Sequence, residues 1–192
     1  MRWDELFADL SGQSDADDAA ALAAEVADRC RWEAGQTTLA DRLRGWPGGW
    51  LEVGLPSGER VQGPLLAVGE DWLAVGDGRT DCLVPAVAVC WLRAAAFDPV
   101  PAVAAAGSAA FAHRLGLVQA VRLLVRDRAY VRVRLVGGVS VSGTADRAGA
   151  DHVDVAQHPD DVPRRSSAVR STWLLPYAAI TSIRGGQVWS AP

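Results

Sequence analysis

Residues 50–75 read WLEVGLPSGERVQGPLLAVGEDWLAV, and residues 130–155 read YVRVRLVGGVSVSGTADRAGADHVDV. Placed over each other without a gap, the two stretches are identical at 8 of 26 positions, each pair 80 residues apart. The identical pairs are Val53 and Val133, Leu55 and Leu135, Gly58 and Gly138, Val61 and Val141, Gly63 and Gly143, Gly69 and Gly149, Asp71 and Asp151, and Val75 and Val155. Such an internal repeat predicts one structural unit built twice.

The match resumes further along the chain, where CLVPAVAVCWLR, residues 82–93, aligns with WLLPYAAITSIR, residues 173–184. The spacing is now 91 residues, so the second copy carries eleven extra residues before this block. Pro85 aligns with Pro176, and Arg93 aligns with Arg184. Two matching blocks in the same order indicate a tandem repeat rather than a chance similarity.

Each copy has the pattern of short strands joined by tight turns. Alternating apolar residues, such as Leu51, Val53 and Leu55, predict a strand with one buried face. The sequences PSGE and VGGV suit hairpin turns, because glycine adopts positive φ without strain. Six glycines are predicted to form turns or to bend the strands of a small barrel: Gly58, Gly63, Gly69, Gly138, Gly143 and Gly149.

A helix is predicted before each copy. Thr38 can cap a short helix that contains Leu43. The helix before the second copy falls within residues 111–127, where apolar residues recur near helical spacing. These residues are Leu115, Val118, Val121 and Val125.

The N-terminal region predicts two further amphipathic helices. One covers residues 1–10, and the other runs from about Asp15 to Glu33. Their apolar stripes consist of Trp3, Leu6, Phe7 and Leu10 in the first, and of Leu22, Val26 and Cys30 in the second. Such stripes serve core or subunit packing, or alternatively the recruitment of another protein.

A helix followed by five bent strands, found twice, resembles the Sm-like fold of the LSm and Hfq superfamily. In the second copy, the resemblance rests on residues 131–155 and on LLPYAAITSI, residues 174–183. The resemblance implies a mainly β fold with α: two Sm-like small bent β-barrels in tandem, each preceded by a helix, plus an N-terminal helical segment. The implied segments are 1–36 helical, 37–93 first barrel, 94–112 Ala/Pro-rich linker, 113–186 second barrel and 187–192 tail. The opening MRWDELFADL also resembles an uncharacterised group of actinobacterial proteins.

The resemblance further implies a ring that binds RNA bases near its pore. That family places an asparagine before the third strand and an Arg-Gly or Lys-His pair between the last two strands. Here those places correspond to Trp72 or His152, and to residues 86–87 or 177–178, so the usual RNA-binding residues are replaced. Substitute contacts to nucleic acid or a partner are Trp72, His152, Tyr177, Arg164, Arg165 and Arg170. The alternatives are a Trp72 packed inside the barrel end and a charge-balanced, solvated arginine loop.

Signatures of catalysis are missing from the sequence. The three histidines have no nucleophile at motif spacing, and neither a phosphate-binding loop nor a G-x-S-x-G turn occurs. The run DHVDVAQH, residues 151–158, lacks the further ligands that a metal would need. We therefore expect no enzyme activity, no catalytic residues, no metal site and no cofactor.

Composition and charge suit a globular protein of the cytoplasm. The 192 residues are 49% hydrophobic and 22% charged, and the formal net charge of −4 opposes general nucleic-acid binding. The charge is uneven, because residues 1–30 carry eight acidic residues and two arginines. From residue 121 onward there are ten arginines and six acidic residues. Neither a membrane span nor a signal peptide is predicted.

The sequence thus predicts a non-catalytic, oligomeric binding or assembly module that acts as a protein adaptor or scaffold. The expected partner is a second copy of the chain, as a dimer or as a trimer that forms a pseudo-hexameric ring. Another protein can bind through the N-terminal helices, and no membrane partner is expected. A regulatory RNA- or nucleoprotein-binding protein is the alternative, in which aromatic and Arg side chains replace the usual Sm residues.

Overall fold

The computed structural model describes residues 20–32, 35–46, 48–76, 78–94, 111–159, 169–186 and 188–189. The chain divides into two compact units, Met1–Leu39 and Ala40–Pro192. The helix predicted over residues 1–10, most of the Ala/Pro-rich linker and residues Arg164 and Arg165 lie outside the described residues.

The first unit contains helix α1, whose described residues are 20–32, within the range predicted from the sequence. Leu22, Val26 and Trp32 are exposed large apolar residues of this helix. Leu22 and Val26 are four residues apart, which places these two on the same face of the helix.

The second unit contains both repeats, and all of its described strands are short. The first repeat consists of α2 (Leu39–Arg44), β1 (Trp50–Gly54), β2 (Arg60–Val68), β3 (Trp72–Gly76), β4 (Asp81–Pro85) and β5 (Trp91–Ala94). The second consists of α3 (Leu117–Arg126), β6 (Tyr130–Leu135), β7 (Ser140–Ala148), β8 (His152–Gln157), β9 (Ser171–Pro176) and β10 (Ile180–Arg184). One 3-10 turn follows Pro85, and another follows Pro176.

The described strands form one antiparallel ten-stranded sheet in the order β5-β1-β2-β3-β4-β10-β6-β7-β8-β9. Each repeat therefore contributes five neighbouring strands, and the order within the second repeat copies that within the first. The prediction of a mainly β chain with helices is confirmed. The observed sheet is open.

The strand pairings repeat with the spacing seen in the sequence. In the first repeat Val53 lies opposite Val61, and in the second Val133 lies opposite Val141. The bulge in β2 falls between residues 65 and 67, and that in β7 falls between residues 145 and 147. The hairpins predicted from PSGE and VGGV form at the same place in each repeat.

Two glycines permit a close approach of neighbouring strands. A Cβ atom on Gly63 would overlap the carbonyl oxygen of Gly76, and Gly63 has a φ of +152°. A Cβ atom on Gly143 would overlap the carbonyl oxygen of Ala156. Only glycine fits such a place, which explains why both repeats carry it.

The buried apolar residues form two clusters, one confined to the first repeat and one that joins the second repeat to Ala67, Trp72, Ala74 and Leu83 of the first. The first cluster includes Leu43 of α2 and residues of β1 to β4. The second includes α3, whose buried residues are Leu117, Ala120, Val121 and Leu124. This face differs from the predicted one: Leu115, Val118 and Val125 are only partly buried at the edge of the cluster. Because a helix turns by about 100° per residue, a stripe chosen from few apolar positions is easily displaced by one residue.

Candidate functional site

The two repeats meet where β4 pairs with β10. The opposed residues are Leu83 with Ile183 and Cys82 with Arg184. The backbone of Asp81 extends this pairing through two hydrogen bonds to residues 185–186, with N···O distances of 3.0 and 3.1 Å. All of β4 is buried, and its residues 81–83 are paired with the second repeat. We call this contact the internal junction.

An ion-pair cluster lies at the same junction. Glu59, in the hairpin between β1 and β2, contacts two arginines of the second repeat. Its carboxylate lies 2.9 Å from Arg134 Nε and 3.3 Å from Arg184. The Glu59 side chain is largely buried, which makes this pair less screened by solvent than an ordinary surface salt bridge.

A turn of the first repeat also binds the beginning of α3. The N–H of Leu117 donates a hydrogen bond to the carboxylate of Asp71, with an N···O distance of 2.6 Å. The carbonyl of Leu115 accepts from the Glu70 N–H at 3.0 Å and from the Trp72 indole N–H at 2.8 Å. Asp71 thus satisfies a donor that the first turn of a helix leaves without an intrahelical partner.

Trp72 is buried within this contact, with 1% of its surface exposed. Its ring lies 4.6 Å from that of Trp189, centroid to centroid. The backbone N–H of Trp189 donates to Asp81 Oδ2, with an N···O distance of 2.6 Å. The ring of Trp72 is therefore not accessible to a base in this structure. Its burial fits the alternative interpretation, an interior packing role.

The corresponding turn of the second repeat holds no such segment among the residues described. Asp151 is exposed, and its carboxylate lies 2.7 Å from His152 Nδ1. This hydrogen bond lowers the pKa of Asp151 below its ordinary value. His152 Nε2 lies 3.5 Å from Asp154, so the half-buried imidazole sits between two carboxylates. Such surroundings oppose the binding of a phosphate.

Tyr177 lies beside this turn and is only 8% exposed. Its N–H donates to the carbonyl of Asp151 at 2.8 Å, and its hydroxyl donates to the carbonyl of Gly149 at 3.5 Å. Burial raises the pKa of the Tyr177 phenol above its ordinary value. The structure thus brings Tyr177 and His152 together, while Trp72 lies at the equivalent turn of the other repeat.

Of the three predicted loop arginines, only Arg170 falls within the described part of the chain. It is exposed, and its backbone N–H donates to the carbonyl of Gln157 at 2.9 Å, next to the start of β9.

The sheet ends in two strands that have one neighbour each. Within the described ranges, β5 is paired with β1 and β9 with β8, and neither pairs on its outer side. Leu174 of β9 is 65% exposed, whereas its counterpart in β4, Leu83, is 3% exposed because β10 covers it. Trp91 of β5 and Trp173 of β9 are exposed as well.

Sequence reasoning missed the residues that join the repeats, namely Glu59, Arg134 and Arg184. A signal was present in the differences between the copies. Glu59 corresponds to Val139 and Arg134 to Gly54, which are the kinds of change expected where one copy has a neighbour that the other lacks.

The described residues contain no group of three or more His, Cys, Asp or Glu side chains that could hold a metal ion. In the same part of the chain, no helix has both the length and the apolar character needed to cross a membrane. Comparison of the chain with protein-family models, with curated proteins and with solved structures gave no match.

Proposed function

We propose that the chain is a non-catalytic assembly module built from two Sm-like repeats, which acts as a protein scaffold or adaptor of the cytoplasm. The internal junction carries this proposal. Within one chain, β4 of the first repeat already binds β10 of the second. The equivalent strands on the outside, β9 and β5, are the two ends of the sheet.

The same contact between two copies would place β9 of one copy beside β5 of the next. Strand edges with unpaired backbone groups favour pairing with a strand of another chain. The contact is head-to-tail, so it continues until a ring closes. Closure after three chains gives six repeats, and closure after two chains gives four. Each five-stranded repeat is expected to curl into a small barrel at its bulges and at Gly63 or Gly143.

A protein ligand is favoured over RNA by the environment of the candidate contacts. Trp72 and Tyr177 are buried, and His152 lies between Asp151 and Asp154. Base stacking needs an exposed ring, and phosphate binding needs positive charge. An adaptor that binds protein through exposed apolar strand edges needs neither a ring free for base stacking nor a positively charged phosphate site.

Native mass spectrometry of the full chain, purified from its own host without nuclease, tests this proposal. The expected species is a homo-oligomer, alone or with another polypeptide, whose mass ribonuclease treatment leaves unchanged. Extra mass that ribonuclease removes would instead establish the RNA-binding alternative. A monomer without a bound polypeptide at every concentration tested would refute the assembly module.

A further inference from the structure

The two repeats differ at the positions that form the internal junction. Glu59 of the first repeat binds Arg134 of the second. The residue equivalent to Glu59 is Val139, which is 48% exposed, and the residue equivalent to Arg134 is Gly54. Both members of this ion pair are therefore replaced at the outer edges: Glu59 by Val139 in the second repeat, and Arg134 by Gly54 in the first.

The place of the Arg134 side chain is taken in the first repeat by an indole. A Cβ atom on Gly54 would overlap the ring of Trp91, so this ring covers Gly54. Trp91 is 42% exposed, and the residue equivalent to it in the second repeat is Ser182, which is fully buried. An arginine at position 54 and a tryptophan at position 91 exclude each other. At this position the outer edge of the first repeat thus presents the Trp91 ring, with the Arg60 guanidinium 5.8 Å from its centroid, where the second repeat presents the Arg134 side chain.

We propose that Val139 of one copy packs against Trp91 of a second copy, in an apolar seam that replaces the Glu59–Arg134 ion pair. This inference rests on the proposed assembly function and names the residues that make the contact between chains. At the internal junction, Leu83 lies opposite Ile183 and Cys82 lies opposite Arg184. The equivalent pairs between two copies are Leu174 opposite Leu92 and Trp173 opposite Arg93. The seam then covers Leu174 as the internal junction covers Leu83.

The substitutions at the two edges match each other. A glutamate at position 139 would find no arginine at position 54, and an arginine at position 54 would find no glutamate at position 139. Valine and tryptophan instead bury apolar surface together, and a tryptophan anchor commonly dominates the affinity of an interface. The seam between chains is accordingly expected to persist in salt concentrations that weaken surface ion pairs.

A set of three variants tests the seam by sedimentation equilibrium of the full chain at low and high salt. Trp91→Ser, which copies the second repeat, is expected to raise the dissociation constant by about tenfold or more. The triple variant Gly54→Arg, Trp91→Ser, Val139→Glu rebuilds the internal ion pair between chains. It is expected to recover assembly and to make that assembly sensitive to salt. Circular dichroism of each variant checks that it is folded.

Disulfide trapping tests the register independently of affinity. In a background of Cys30→Ser and Cys90→Ser, which removes the two exposed thiols, Leu92→Cys and Leu174→Cys are introduced together. Opposed residues of antiparallel strands lie about 4.5–5.5 Å apart, within the range of a disulfide. Oxidation is expected to link chains covalently, whereas the control pair Asp127→Cys and Leu174→Cys stays unlinked.

The outcomes separate the two proposals. An oligomer that survives Trp91→Ser unchanged and forms no Leu92→Cys to Leu174→Cys disulfide overturns the seam and leaves the assembly module standing. A chain that remains monomeric at every concentration overturns both the seam and the homo-oligomer.

Discussion

The carboxylate of Asp71 in the first repeat accepts a hydrogen bond from the backbone N–H of Leu117, the first residue of α3 in the second repeat, at 2.6 Å. Its equivalent, Asp151, is exposed and bonds the neighbouring His152 instead. Two identical residues thus have different partners, because the turn that contains Asp71 lies against the beginning of α3. This pair provides a matched comparison for the energetics of the internal junction.

Asp71→Ala is expected to lower the free energy of unfolding by about 1 kcal/mol, the usual cost of losing a helix cap. Asp151→Ala, the same change at the equivalent position, is expected to leave it unchanged within the error of the measurement, because the side chain is exposed. Urea denaturation of both variants measures the difference. Equal losses would show that Asp71 contributes nothing specific to the contact between the repeats.

Gly63→Ala and Gly143→Ala are each expected to destabilise the chain by at least about 2 kcal/mol, because the added Cβ overlaps a backbone carbonyl of the neighbouring strand. Gly58→Ala is the control, since Gly58 also has positive φ but faces open space. It is expected to cost about 1–2 kcal/mol from backbone strain alone. Thermal unfolding and sedimentation follow stability and assembly together. If Gly63→Ala or Gly143→Ala unfolded and assembled like the parent protein, the proposed bend of its strand would be wrong.

Glu59→Ala is expected to cost about 1–3 kcal/mol, because it leaves Arg134 and Arg184 facing each other without their shared carboxylate. Arg126→Ala removes one member of an exposed ion pair with Asp127 and is expected to leave the free energy of unfolding unchanged within the error of the measurement. Urea denaturation at low and high salt measures both. A Glu59 variant as stable as the Arg126 variant would refute the role of the buried cluster.

The repeated sequence predicted local structure well, since strand alternation, turns and the two close-approach glycines depend on neighbours within one copy. It offered the interior packing of Trp72 as an alternative to a partner contact, but it did not predict the hydrogen-bond partner Leu115, which lies 43 residues away in the segment leading to the other repeat. It did not predict the Glu59–Arg134 pair either. Periodicity identifies which residues are apolar along an element, whereas contacts between repeats depend on how the two sheets join. The differences between aligned positions were the only sequence signal of that junction.

Tyr177 offers a spectroscopic test of the packing at the second repeat. Burial raises the pKa of its phenol above 10.0, so the folded state holds the proton more tightly than the unfolded chain does. The associated stability is fully present below the unfolded pKa and is lost as the pH rises through the folded value. Ultraviolet titration of the phenols is expected to show one of the two tyrosines ionising late. Tyr177→Phe should remove that late transition. A late transition that survives in Tyr177→Phe, or its absence from the parent protein, would place the Tyr177 ring in solvent.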